Sequence, residues 1–149
     1  MNIRKFLFGV LVFVVILLPE VVEAGFGITP PYVRNSSLTR NSVYEQEILL
    51  VRSDPTAELM ASVTIDAPGF EDWIEIEQGD EFLLPVGEDR VPMNVKVTVP
   101  DNADFENYTG NIRIKTAPAG ENLSQGAVNI SLGAQVDIDI NVIDKEILD

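Results

Sequence analysis

Carboxylates and amides are the side chains with most chemistry to offer in this sequence, and two short stretches concentrate them. Asp137, Asp139 and Asn141 alternate with Ile138 and Ile140, which puts three oxygen-bearing side chains on one face of a strand. Asp101-Asn102-Ala103-Asp104 follows Pro100 and reads as a turn, which can converge its oxygens. Either stretch suggests calcium, a hard cation that takes roughly six to eight oxygen ligands. Same-face residues along a strand stand about 6.5–7 Å apart, too far to chelate one ion, so the strand face reads as a solvated polar surface. The turn is the better-shaped calcium candidate, with Asp101, Asn102 and Asp104 as ligands. It lacks the glycine and distal glutamate of a calcium-binding helix–loop–helix. Hydration of an acidic turn accounts for it without a metal, and no cofactor is expected.

The residue inventory removes most catalytic chemistry. The chain has no His and no Cys. That excludes Ser–His triads, thiol nucleophiles and His/Cys zinc or haem centres. No Gly-x-Ser-x-Gly elbow, phosphate-cradling loop or dinucleotide fingerprint occurs. With 24 acidic residues, neighbouring carboxylates arise by chance, and one Trp and three Tyr supply few platforms for a glycosidase. A non-enzyme is expected. The net charge of −14 repels a phosphate backbone, so nucleic acid is not an expected partner. Four Asn-x-Ser/Thr acceptors occur, at Asn35, Asn107, Asn122 and Asn129. They mark possible glycosylation sites, although an Asn/Thr-rich β surface is the favoured reading.

The elements that must carry these residues are strands. Val91, Met93, Val95, Val97 and Val99 are apolar at alternate positions, the period of a strand with one buried face. The same alternation runs through Leu59–Ile65, through Ile112 and Ile114, and from Val128 to Val142. No apolar repeat persists at helical spacing after residue 24. Turn clusters such as Asp54-Pro55, Pro68-Gly69 and Pro118-Ala119-Gly120 punctuate the runs. Strands are expected near 27–33, 43–52, 58–66, 72–77, 81–84, 91–99, 108–116 and 127–142. Gly133 is expected to mark a bend that divides the last. Pro30-Pro31 demotes the first strand to an edge. The first and last strands are the expected contact edges. Seven or eight short strands predict an all-β, two-sheet antiparallel sandwich.

The first 24 residues stand apart. Arg4 and Lys5 precede the apolar run Phe6–Leu18, and Val22-Glu23-Ala24 places small residues before Gly25. That is the pattern of a secretory signal peptide, and the run is short for a spanning helix. Residues 1–24 are therefore expected to be a signal peptide and 25–149 one domain. Cleavage removes Arg4, Lys5, Glu20 and Glu23, so the charge stays at −14.

From Val91 to Lys115 the chain reads VPMNVKVTVPDNADFENYTGNIRIK: an alternating strand, an acidic turn, then Tyr108-x-Gly110-x-Ile112. This resembles the corner between the fifth and sixth strands of immunoglobulin-like sandwiches in prokaryotic surface proteins. The style is that of fibronectin type III-like, pilus-chaperone-like and alpha-galactosidase-associated modules. Ile28-Thr29-Pro30-Pro31 and Tyr44–Val51 look like the first two strands of such domains. The resemblance implies that Tyr108 closes a tyrosine corner by bonding backbone near Asp104. The inter-sheet disulfide of antibody domains is missing, and Trp73 does not correspond to their core tryptophan.

The resemblance is nearly silent on function, because this architecture hosts many roles. The expectation is a secreted or cell-envelope module that acts as spacer, scaffold or adhesion platform and forms part of a longer protein. Its partner would be a protein or cell-envelope polymer. Membrane contact would come only through the N-terminal segment or a continuation beyond Asp149. The alternative is a periplasmic chaperone-like protein that donates a strand edge. It would need a basic anchor, for which Arg34 and Arg40 are the early candidates.

Overall fold

A computed structural model of the chain describes residues 25–120 and 131–148. The signal-peptide reading of 1–24 lies outside the described residues. Among the described residues, nine strands run in the order β1 (Phe26–Thr29), β2 (Tyr32–Leu38), β3 (Val43–Arg52), β4 (Leu59–Asp66), β5 (Ile74–Ile76), β6 (Glu81–Leu84), β7 (Arg90–Thr98), β8 (Asn107–Pro118) and β9 (Leu132–Val142). Short 3₁₀ turns cover Glu71–Trp73 and Lys145–Leu148. A four-stranded sheet, β1-β3-β7-β5, faces a five-stranded sheet, β2-β9-β8-β4-β6. The all-β sandwich read from the alternation is the fold.

The alternation builds the core directly. Ile48, Leu50, Met93, Val95 and Val97 from one sheet meet Val33, Ala61, Ile112, Ile114, Val136, Ile138 and Ile140 from the other, all buried. At roughly 1.5–3 kcal/mol per buried aliphatic side chain, this interior supplies the main driving force, and with no Cys no disulfide adds to it.

The ends of the chain differ from expectation. The single strand expected over 27–33 is two strands, because neither Pro30 nor Pro31 has an N–H to give to a ladder. The Thr29–Pro30 peptide is cis. Across these prolines the chain leaves the four-stranded sheet, where β1 pairs with β3, and enters the five-stranded one. There β2 runs parallel to β9, a pairing that departs from the expected antiparallel sandwich. The last strand is not an edge, since β9 lies between β2 and β8. Nor does Gly133 divide it: the β8 register is unbroken from Thr116↔Leu132 to Asn107↔Asn141. The stretch 127–130 of the expected strand lies outside the described residues. Trp73 sits in the 3₁₀ turn ahead of β5 rather than in the strand expected over 72–77.

Arg52 ends β3 with its side chain turned inward, in line with Ile48 and Leu50, and is only 5% exposed. Among the described residues no carboxylate reaches ion-pair distance of it, though its charge adds to the Thr56 hydrogen bonds that lower the Asp54 pKa. Its Nε donates to the Glu88 carbonyl at 2.9 Å and Nη1 to Ala57 at 2.6 Å. Nη2 donates to Leu84 at 3.3 Å and also to Pro85. One guanidinium thereby joins the loop after β3 to the loop after β6.

Candidate functional site

Two surface features stand out, at opposite ends of the β8–β9 hairpin. The first is a cleft at the Asn107 end. After β4 the chain turns at Pro68-Gly69, where Gly69 takes φ +86°, a conformation open to glycine. Phe70 N–H then donates to Ala67 O at 3.0 Å and Trp73 N–H to Phe70 O at 3.1 Å. A spacing of three in a 3₁₀ turn puts Phe70 and Trp73 on one side. Their rings meet edge-on, with centroids 5.7 Å apart. Tyr108, from the start of β8, completes the cluster at 5.4 Å from Phe70 and 4.6 Å from Trp73. Phe70 is buried, whereas Trp73 and Tyr108 are half-buried.

Above this floor the 100–106 turn forms the opposite wall. Tyr108 Oη donates to the Asp104 carbonyl at 3.1 Å, which also accepts the Glu106 N–H at 3.1 Å. Arg40 Nε donates to the Ala103 carbonyl at 2.7 Å, and its guanidinium lies 4.2 Å from the centroid of Phe105. Burial pushes the Tyr108 phenol above its ordinary pKa, and the charge of Glu106 adds to the effect. The cleft measures about 490 Å³, with Asn102, Asp104, Glu106, Asn107 and Thr109 on its polar rim.

The second feature is a vacant lane beside β9. Asp137 N–H donates to Pro31 O at 3.0 Å, so odd-numbered β9 residues turn their main chain toward β2. Pairing with β2 begins only at Asp137↔Tyr32. Among the described residues, nothing pairs with that side of β9 from Leu132 to Val136, which leaves the N–H and C=O of Gly133 and Gln135 outward. Leu132 and Ala134 are half-buried there, and β1 lies across the seam with half-buried Phe26 and Ile28.

The expected site residues are distributed as follows. Asn102 and Asp104 line the corner cleft; Asp101 is exposed and does not. Among the described residues, no three carboxylates stand close enough to hold a metal ion. Asp139 pairs with Arg34 at 3.7 Å, and Asp137 accepts the Gln135 amide at 2.9 Å, so the β9 face is cross-linked rather than convergent. Asn35 and Asn107, distant in sequence, share a depression of about 350 Å³ with Asn141. Asn35 Oδ1 accepts the Ser37 N–H at 3.0 Å. Asn122 and Asn129 lie outside the described residues. Sequence reasoning missed Phe70 and Trp73 as partners of Tyr108. The Pro-Gly turn and the spacing of three were the signals available for the first pair.

No protein-family model matches this sequence, and no curated protein sequence matches it. Solved structures do. The PapD-like domain 7 of human CEP192 superposes with a TM-score of 0.57 at 10% identity, covering 86% of this chain and 94% of that one. The E. coli chaperone DraB gives 0.55 at 10% identity, covering 79% and 55%. The periplasmic chaperone SfaE gives 0.54 at 9% identity, covering 80% and 58%. The chain thus spans little more than half the length of the chaperones it matches. Identities this low speak to fold alone, and the fold they share with this chain is the PapD-like, immunoglobulin-type sandwich.

Proposed function

We propose that this chain is a non-catalytic, extracytoplasmic binding module that takes an extended segment of a partner protein as an added strand. The observation that carries the reading is the vacant lane beside Leu132–Val136. Among the described residues it offers unpaired main-chain donors and acceptors at Gly133 and Gln135, next to half-buried apolar side chains on both sheets. An incoming strand would gain ladder hydrogen bonds on one side and place alternate side chains into the seam. The signal-like N-terminus supports export. A solved neighbour that is a Salmonella enterica pilin in complex with its chaperone supports a protein partner (TM-score 0.53, 13% identity, covering 79% of this chain and 55% of that one).

The platform and the strand-donating chaperone both use this edge. Arg34 and Arg40, the anchors a chaperone would want, are engaged with Asp139 and with Phe105 and Ala103. The two roles separate by whether the partner is held permanently or only before its own assembly.

Gln135→Pro tests the edge. It removes the outward N–H together with the exposed side-chain amide that bonds Asp137, and proline is tolerated where the N–H faces solvent. Envelope extract from the source organism is passed over parent and variant. A partner retained by the parent and lost from the variant supports the reading; equal retention, or none by the parent, overturns it.

A further inference from the structure

We propose that the corner cleft is a receptor for an arginine side chain of a partner polypeptide. The cleft presents two half-buried rings, Trp73 and Tyr108, below two rim carboxylates, Asp104 and Glu106. Among the described residues no Lys or Arg lines it, and Arg40, whose charge reaches Tyr108, stands outside. Ring faces and carboxylates attract the same ligand: a flat, weakly hydrated cation that stacks on an aromatic surface and gives N–H bonds in its own plane. A net charge of −14 steers cations toward such a cleft and repels anions. A neutral sugar could stack on the rings and donate hydroxyls to the carboxylates, but the net charge would not draw it in.

The same turn already shows the chemistry at its other side. Arg40 stacks on Phe105 there, anchored by the Ala103 carbonyl. What the turn does with its own arginine outside the cleft, Trp73, Tyr108 and the two carboxylates can do for a foreign one inside it. This surface is separate from the β9 edge and does not depend on strand addition.

Trp73 is the chain's single tryptophan, so its emission reports on the cleft alone. The experiment titrates the protein at low salt with a capped tetra-arginine peptide and, separately, with cellobiose. A saturable change in Trp73 emission is expected with the peptide. Asp104→Asn with Glu106→Gln should weaken it at least about tenfold, the scale of a lost charged contact. The turn uses the main chain of both residues, not their carboxylates, so the variant keeps its hydrogen bonds. If circular dichroism shows it unfolded, Glu106→Gln alone serves, with several-fold weakening expected. The control is Glu45→Gln with Glu47→Gln, exposed residues of β3 with the same change in charge, which should shift affinity less than about twofold. Gln135→Pro should bind the peptide unchanged, which keeps this test apart from that of the β9 edge. Equal weakening in the two charge variants would reduce the effect to bulk acidity and overturn the proposal. A response to cellobiose with none to the peptide, or no saturable response at all, would overturn it too.

Discussion

Removing the Arg52 guanidinium is the perturbation whose cost the structure defines best. Arg52→Met keeps the stem in its apolar slot but takes away donors to four carbonyls, on Ala57, Leu84, Pro85 and Glu88. The four losses are unequal. Leu84 still pairs with Leu59 in the ladder, and the Glu88 N–H reaches Pro85 O at 3.3 Å. Among the described residues, the Ala57 and Glu88 carbonyls have no other donor. A hydrogen bond from a charged donor contributes about 1.5–3 kcal/mol. Both residues are exposed, so water recovers part of the loss, and the variant also escapes the desolvation cost of a buried cation. The net destabilisation is about 2–4 kcal/mol, or a fall of roughly 10 °C in Tm for a domain of this size. Arg52→Lys keeps the charge but not the fork that spans two loops, and should fall between parent and Met at about 1–2 kcal/mol. Thermal and urea melts followed by far-ultraviolet circular dichroism measure all three. An Arg52→Met melt within about 2 °C of the parent, or a Lys variant less stable than Met, would refute the carbonyl-clamp account.

Tyr108→Phe removes the bond to the Asp104 carbonyl and should cost about 0.5–1.5 kcal/mol, seen as a Tm lower by a few degrees. Because the folded phenol titrates above the ordinary tyrosine value of 10.0, its contribution is present below that pH and declines as pH rises through the folded pKa. Phenolate absorbance should show a late-ionising phase that Tyr108→Phe abolishes. Gly110→Ala should destabilise by about 1–3 kcal/mol in urea melts, since its Cβ would stand 2.7 Å from Asp66 O and 3.0 Å from Ala67 Cα, both main-chain atoms. Residues 25–149 should melt at the same temperature in excess EDTA and in calcium; a melt that collapses in EDTA would promote the 101–104 turn to a metal site. Mass spectrometry of the exported protein should find Gly25 at its N-terminus, and an intact Met1 in the membrane fraction would mean an uncleaved anchor.

Alternation along single strands was legible because it records a local fact, which side of each residue meets water. Val43–Arg52 and Glu81–Leu84 are strands over the ranges read from the sequence, and Val91, Met93, Val95 and Val97 are buried as their period requires. The same parity points Arg52 inward, yet nothing in its neighbourhood of sequence reveals what a buried guanidinium finds there. Its partners come from loops about five and more than thirty residues away. Strand order was equally hidden. A period of two is the same for an edge and an interior strand, and for parallel and antiparallel neighbours, so the place of β9 between β2 and β8 could not be read from it. The corner cleft depends on that order. Phe70 and Trp73 leave the end of β4, Tyr108 opens β8, and they touch because β4 and β8 pair, with Asp66 opposite Asn111. The sequence by itself determined most of the strands and their wet and dry faces. Only the tertiary structure decided adjacency, and with it the cleft, the vacant lane and the Arg52 clamp, because each is made by segments that are neighbours in space and strangers along the chain.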